Sequence, residues 1–178
     1  DFLCDYIIYV FGKEWFDSEV AKAEGELHPV MQWRRSFYRF HEKQEKGIDE
    51  LYSATPTGPM KAYFTLAYDL YLVRHNSELQ ELHISRLKDL DQFQGARYEL
   101  FATTSMIRAG YNIEIEDEQD GASKHVEFIA VHNGTGEKVA IEAKSRHRSG
   151  ILGFPGEKIE PSKVKLRIER LINRAIEK

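Results

Sequence analysis

Apolar residues recur at helical spacing through most of the first 110 positions, and at strand spacing only after that. Phe2, Leu3, Tyr6, Ile7, Val10 and Phe11 predict a helix from residue 1 to about 24, ending in the polar stretch KAEGE. A second helix is predicted over 29–46. Pro29 sits in its first turn, and Val30, Trp33, Phe37, Phe40 and His41 share one side. The turn-forming stretch SATPTGP reads as a loop. A third helix follows from Met60 to about His75, and a fourth runs from Ser77, a candidate N-cap, to about Leu90. From Gln92 to Ala109, Phe93, Leu100, Phe101, Thr104 and Ile107 form a stripe expected to be buried, with Gly110 as the C-terminal stop.

Beyond Gly110 the period changes. Tyr111 to Glu116 reads as a strand with Ile113 and Ile115 facing inward, followed by the loop DEQDGASK. The loop acids Asp117, Glu118 and Asp120 are expected to be solvated, with Asp120 as an alternative ligand if the next strand is shifted. VEFIAV and KVAIEAKSR are then two strands joined by NGTG, whose residues tolerate positive φ, and together they predict a hairpin. A period of two puts Val139, Ile141 and Ala143 on one face of the second strand, and Ala140, Glu142, Lys144 and Arg146 on the other. Glu142 and Lys144 thus point the same way, roughly 7 Å apart. Glu127 places a carboxylate inside an otherwise hydrophobic segment. Two acids and a lysine on neighbouring strands suit a hard divalent cation, because Mg²⁺ takes one or two carboxylates and completes its shell with waters and substrate phosphates. A lysine beside it can orient or deprotonate a water, or balance phosphate charge.

An acid followed fifteen residues later by an acid-x-lysine triplet resembles the PD-(D/E)xK nuclease superfamily, the restriction-endonuclease-like fold. The matching positions are Glu127, Glu142 and Lys144. Glu99, on the helix in GARYELFATTSMIRAGYNIEIED, matches the additional helix acid of many members, and the resemblance covers about residues 92–148. It implies an α/β fold: a mixed β-sheet core flanked by helices, here behind an all-helical N-terminal region. The domains expected are residues 1–90 and a nuclease core over 91–178. It further implies a DNA endonuclease of restriction, repair or phage defence, with Glu127, Glu142 and Lys144 catalytic and Glu99, Glu127 and Glu142 holding Mg²⁺ or Mn²⁺. The first acid is Glu where the family more often has Asp. That departure keeps open a catalytically inactive module of the same fold that binds DNA or a protein partner.

Charge distribution adds to this picture. The net charge of the 178 residues is −4, yet residues 144–178 hold ten Lys and Arg against four acids, a surplus of +6 that leaves the remainder at −10. Locally concentrated positive charge can track a phosphate backbone whatever the total. Arg146, Arg148, Lys163, Arg167, Arg170 and Arg174 are the candidate DNA contacts, the last four belonging to a basic stripe on a final helix over Ser162–Glu177. Val164, Ile168, Leu171, Ile172, Ala175 and Ile176 make the apolar face of that helix. The same stripe is also what an ordinary solvated helix face would show. SRHRSGILGFPGEKIEP, just after the triplet, reads as a lid or substrate-contacting loop.

Other classes are excluded or weaker. Apolar content of 42% with 12% aromatics indicates a globular chain. The lone Cys4 cannot form an internal disulfide, so a reducing, cytoplasmic setting is expected. The run YIIYVF is too short to span a bilayer, so no membrane association is expected. Seven scattered histidines show no zinc-ligand pairing; His125 and His147 flank the site as rim residues with some reach toward phosphate. No glycine pattern makes a nucleotide-binding loop. Trp33, Arg34, Arg35, Tyr38 and Arg39 cluster on one helix, which suits either core completion or recognition of nucleic acid. A protein-binding helical half, with the acids and Lys144 as a structural ion pair, is the remaining alternative, and a homodimer is compatible with all of these. The opening at Asp1 with immediate helix-like sequence leads us to expect a longer parent chain.

Overall fold

The computed structural model describes residues 2–43, 55–115, 126–145, 147–154, 156–160, 163 and 168–176. Its elements are α1 (Phe2–Phe11), α2 (Lys13–Val20), a 3₁₀ turn (Glu24–Glu26), α3 (Pro29–Glu42), α4 (Gly58–Asn76), α5 (Glu81–Lys88), α6 (Phe93–Arg108), β1 (Tyr111–Glu114), β2 (Phe128–His132), β3 (Lys138–Ile141) and α7 (Ile168–Ile176). The protein is mixed α/β and rich in helix. Its chain forms two compact units, Asp1–Tyr68 and Asp69–Lys178, with the boundary inside α4. No helix among the described residues is long and apolar enough to cross a membrane.

In unit 1 the predicted first helix is two. Gly12 takes φ 84°, which only glycine adopts without strain, so α1 stops there and α2 starts anew. Ile7, Phe11, Leu27, Val30, Met31 and Tyr63 are fully buried and form the core of the unit. α3 is capped from outside the usual set: the His28 ring Nδ1 accepts from the Val30 N–H at 3.3 Å, and Pro29 fills the first turn, where a missing N–H costs nothing. The buried Glu19 carboxylate accepts from the His28 backbone N–H at 2.9 Å and is paired with Lys22, which ties α2 to the entrance of α3.

In unit 2 the predicted hairpin is present. β1, β2 and β3 form an antiparallel sheet in that order, with Ala130 opposite both Ile113 and Val139. The turn closes through His132 N–H to Glu137 O at 2.8 Å and Gly136 N–H to His132 O at 2.8 Å, with Gly136 at φ 71°. Phe128 and Ala130 are buried on one face of β2. α6 buries Phe93, Ala96, Leu100 and Thr104, a 3- and 4-residue repeat, and ends as predicted at Gly110 with φ 89°. Phe101 departs from the predicted stripe and is 50% exposed, because it falls one residue off that repeat. α5 starts at Glu81 behind Gln80 and not behind Ser77, whose N–H is bonded to Val73 O as the last turn of α4. On α7, Ile168, Ile172 and Ile176 are exposed rather than packed.

Candidate active site

The register of the hairpin decides where the acids fall. Phe128 lies opposite Ile141, and continuing that antiparallel pairing by one residue sets Glu127 across from Glu142. Like charges directly opposite one another are destabilising, and a cation placed between them offsets that repulsion. Lys144 provides that cation. Its Nζ is 3.9 Å from Glu127 Oε1 and in direct contact with Glu142 Oε1. The three side chains keep 16%, 7% and 27% of their surface for Glu127, Glu142 and Lys144, so the lysine is partly exposed and the acids are more buried than it is. β2 starts at Phe128 and β3 ends at Ile141, so Glu127 and the triplet, expected on the strands, lie just outside them because the backbone pairing stops at Phe128 and Ile141.

Glu99 approaches from α6. Its carboxylate accepts from Arg86 Nη2 at 2.6 Å and lies 3.8 Å from His83 Nδ1, both on α5. Glu99 and Glu127 line the same small cavity, of about 60 Å³, with His83, Arg86, Thr103 and Phe128. Burial pushes the His83 imidazole below the ordinary histidine range, against the opposing pull of the Glu99 charge. His83 and Arg86 are functional candidates that the sequence reading missed. Their only sequence signal is the i, i+3 spacing that puts them on one face of α5.

The segment after the triplet is held against α6 by its first turn. The Gln94 side-chain amide donates to Arg148 O at 2.9 Å and Ile151 O at 2.5 Å, and its carbonyl accepts from the Arg148 N–H at 2.8 Å. Gly95 makes the approach possible: a Cβ there would lie 3.2 Å from His147 Nε2 and 3.9 Å from both Glu99 Oε1 and Ser145 Oγ. The His147 ring packs edge-on against Phe154 at 5.0 Å, and positive φ at Gly150, Leu152 and Gly153 turns the chain tightly. Gly95 thus lies beside Glu99, Ser145 and His147, while Glu127 shares a cavity with Glu99 and shares Lys144 with Glu142.

A separate cluster uses the remaining charges of this unit. Asp69, nearly fully buried, is in contact with Arg108, and burial raises its carboxyl above the usual range against the pull of Thr104, Arg108 and Arg97. Arg97, whose guanidinium is lowered by burial and supported by Asp69, belongs to this structural cluster.

Of the predicted nucleic-acid contacts, Arg148, Lys163 and Arg170 have exposed side chains. The Arg174 side chain, Arg146, Arg167, and the loop residues Asp117, Glu118, Asp120 and His125 lie outside the described residues. No group of three or more His, Cys, Asp and Glu suited to a metal ion occurs among the described residues. Mg²⁺ takes one or two carboxylates and fills its shell with waters and phosphate oxygens, so Glu127 and Glu142, which share Lys144, are the donors that would suit it. Glu99, expected as a third ligand, is turned to Arg86. Compared with family models, with curated proteins and with solved structures, the chain shows no match.

Proposed function

We propose that the Glu127, Glu142 and Lys144 cluster is the active site of a metal-dependent nuclease that hydrolyses DNA phosphodiesters in the cytoplasm, on a core related to the restriction-endonuclease-like fold. The observation that carries the reading is the meeting of both acids at one partly exposed lysine just beyond adjacent strand ends. Mg²⁺ or Mn²⁺ held by Glu127 and Glu142 would supply Lewis-acid activation of water and of the phosphoryl oxygens. Lys144, in direct contact with Glu142, would be placed to orient the attacking water and to meet charge on the phosphate. Arg86 and His83 fix Glu99 beside Glu127, and Gln94 holds Arg148 at the rim, where its exposed guanidinium suits a phosphate.

The direct contact between Lys144 and Glu142 favours a second reading, a structural ion pair inside a non-cleaving module that binds DNA. Incubating the purified protein with supercoiled plasmid separates the two. The nuclease reading expects nicked and linear product in Mg²⁺ or Mn²⁺ and none in EDTA. Salt-sensitive binding with intact plasmid under both metals supports the module instead.

A further inference from the structure

The cavity of about 60 Å³ that Glu99 and Glu127 share lies wholly within unit 2, between α5, α6, β1 and β2. Buried Val73, Leu100 and Phe128 line its inner end, and the exposed Leu82 and Glu78 line its mouth. Ile113 and Ile115 extend the apolar wall along the first strand and just past its end. The volume gives room for about four water-sized positions at roughly 15 Å³ each, and so for a chain of about four heavy atoms.

This apolar wall carries a negative balance. Glu78, Glu99 and Glu127 line the cavity against Arg86, so three carboxylates meet one guanidinium. Arg86 is taken up by Glu99 at 2.6 Å, and burial holds the His83 imidazole below the ordinary histidine range, so neither offsets Glu127. Lys144 stands 3.9 Å from Glu127 and is in direct contact with Glu142. An anion entering here is repelled. A neutral apolar molecule shields Glu127 from water and returns no hydrogen bond, which is costly. A metal ion finds no group of three His, Cys, Asp or Glu among the described residues. An ammonium on a short alkyl chain answers both halves of the lining, with N–H donors for a carboxylate and methylenes for the isoleucines and Leu82.

We propose that this cavity binds a primary alkylammonium, its ammonium donating to Glu127 and a chain of about three carbons lying against Leu82, Ile113 and Ile115. Two sources supply that chemistry, a free amine and a lysine side chain presented by another protein. Binding needs neither a metal nor cleavage, so it stands or falls separately from the nuclease reading.

The test is methyl NMR of the full chain, labelled at Ile and Leu, titrated with n-propylammonium chloride in EDTA without DNA. Saturable shifts are expected at Ile113, Ile115 and Leu82, with n-propanol roughly tenfold weaker and propionate without effect. Nα-acetyl-lysine methylamide separates the sources: affinity equal to that of n-propylammonium identifies a lysine side chain, and its exclusion while n-propylammonium binds identifies a free amine. Glu127→Gln is expected to weaken binding roughly tenfold. Thr103→Ile, which fills the cavity and leaves every charge in place, is expected to abolish it. Thermal melts establish that both variants are folded, and the ligand series in wild type needs neither. Absence of saturable shifts at these methyls, equal affinity for n-propanol, preference for propionate, or unchanged affinity in either folded variant would each overturn the proposal.

Discussion

Lys144 serves two carboxylates at once, and that single fact organises the chemistry of unit 2. Glu127 and Glu142 are separated by fifteen residues, yet each lies one residue beyond the last paired position of β2 and β3, so their mutual repulsion would oppose the very register that puts Phe128 and Ala130 in the core. The lysine two residues beyond Glu142 relieves that conflict. The hairpin and its turn were legible in the sequence, but Glu127, Glu142 and Lys144 fall just outside β2 and β3, so a strand period of two does not decide how they meet. His83 and Arg86 were not legible, because what gives them meaning is Glu99, which lies 13 residues beyond Arg86 on a different helix. Their environment has a consequence at the same scale. With its folded-state value depressed below 6.5, neutral His83 contributes stability that is complete above that pH and is lost as pH falls through the lower folded-state value. Thermal melts from about pH 7.5 down to about pH 5.5 should therefore show the wild type losing more stability than His83→Gln. Parallel loss in both proteins would show that His83 is not the group responsible.

Among the elements, the first turn of α6 does more than start a helix. Gln94 satisfies the N–H of Arg148 and the carbonyls of Arg148 and Ile151, while Gly95 leaves room for His147. The sequence reading saw a loop beside the site and expected a lid; in the structure, Gln94 ties its described part to α6. Gln94→Ala removes three hydrogen bonds to this backbone, each worth about 1 kcal/mol net. Trypsin should then cut after Arg148 several times faster than in wild type, followed by mass spectrometry of a timed digest. An unchanged rate would mean that the segment is held by His147 and Phe154 packing alone. The break between α1 and α2 illustrates what periodicity hides. Gly12 interrupts no apolar repeat, so only its φ of 84° reveals two helices where one was expected. Phe101 fails the other way, since its type suited a buried stripe and its angular position did not.

For the molecule as a whole, helix content and the hairpin were legible because each rests on local period and punctuation, and the mixed α/β class follows from the two together. Which charges are functional was less legible, since pairing is decided by tertiary neighbours. Arg34 is stacked on aromatics, Arg39 is held by Glu24, Arg97 supports Asp69, and the exposed apolar residues of α7 contradict the packing that its amphipathic pattern suggested.

The claim that most of this depends on is that Glu142 and Lys144 act in a chemical step and not in holding the fold. Single-turnover cleavage of a DNA substrate in Mg²⁺, measured for wild type, Glu142→Gln and Lys144→Ala at saturating protein, addresses it directly. Rates about 100-fold lower are expected in each variant, as for loss of one transition-state contact, with DNA affinity close to wild type; Glu142→Gln melts close to wild type, and Lys144→Ala melts lower because both carboxylates lose their counter-ion. Cleavage at the wild-type rate in either variant would contradict it.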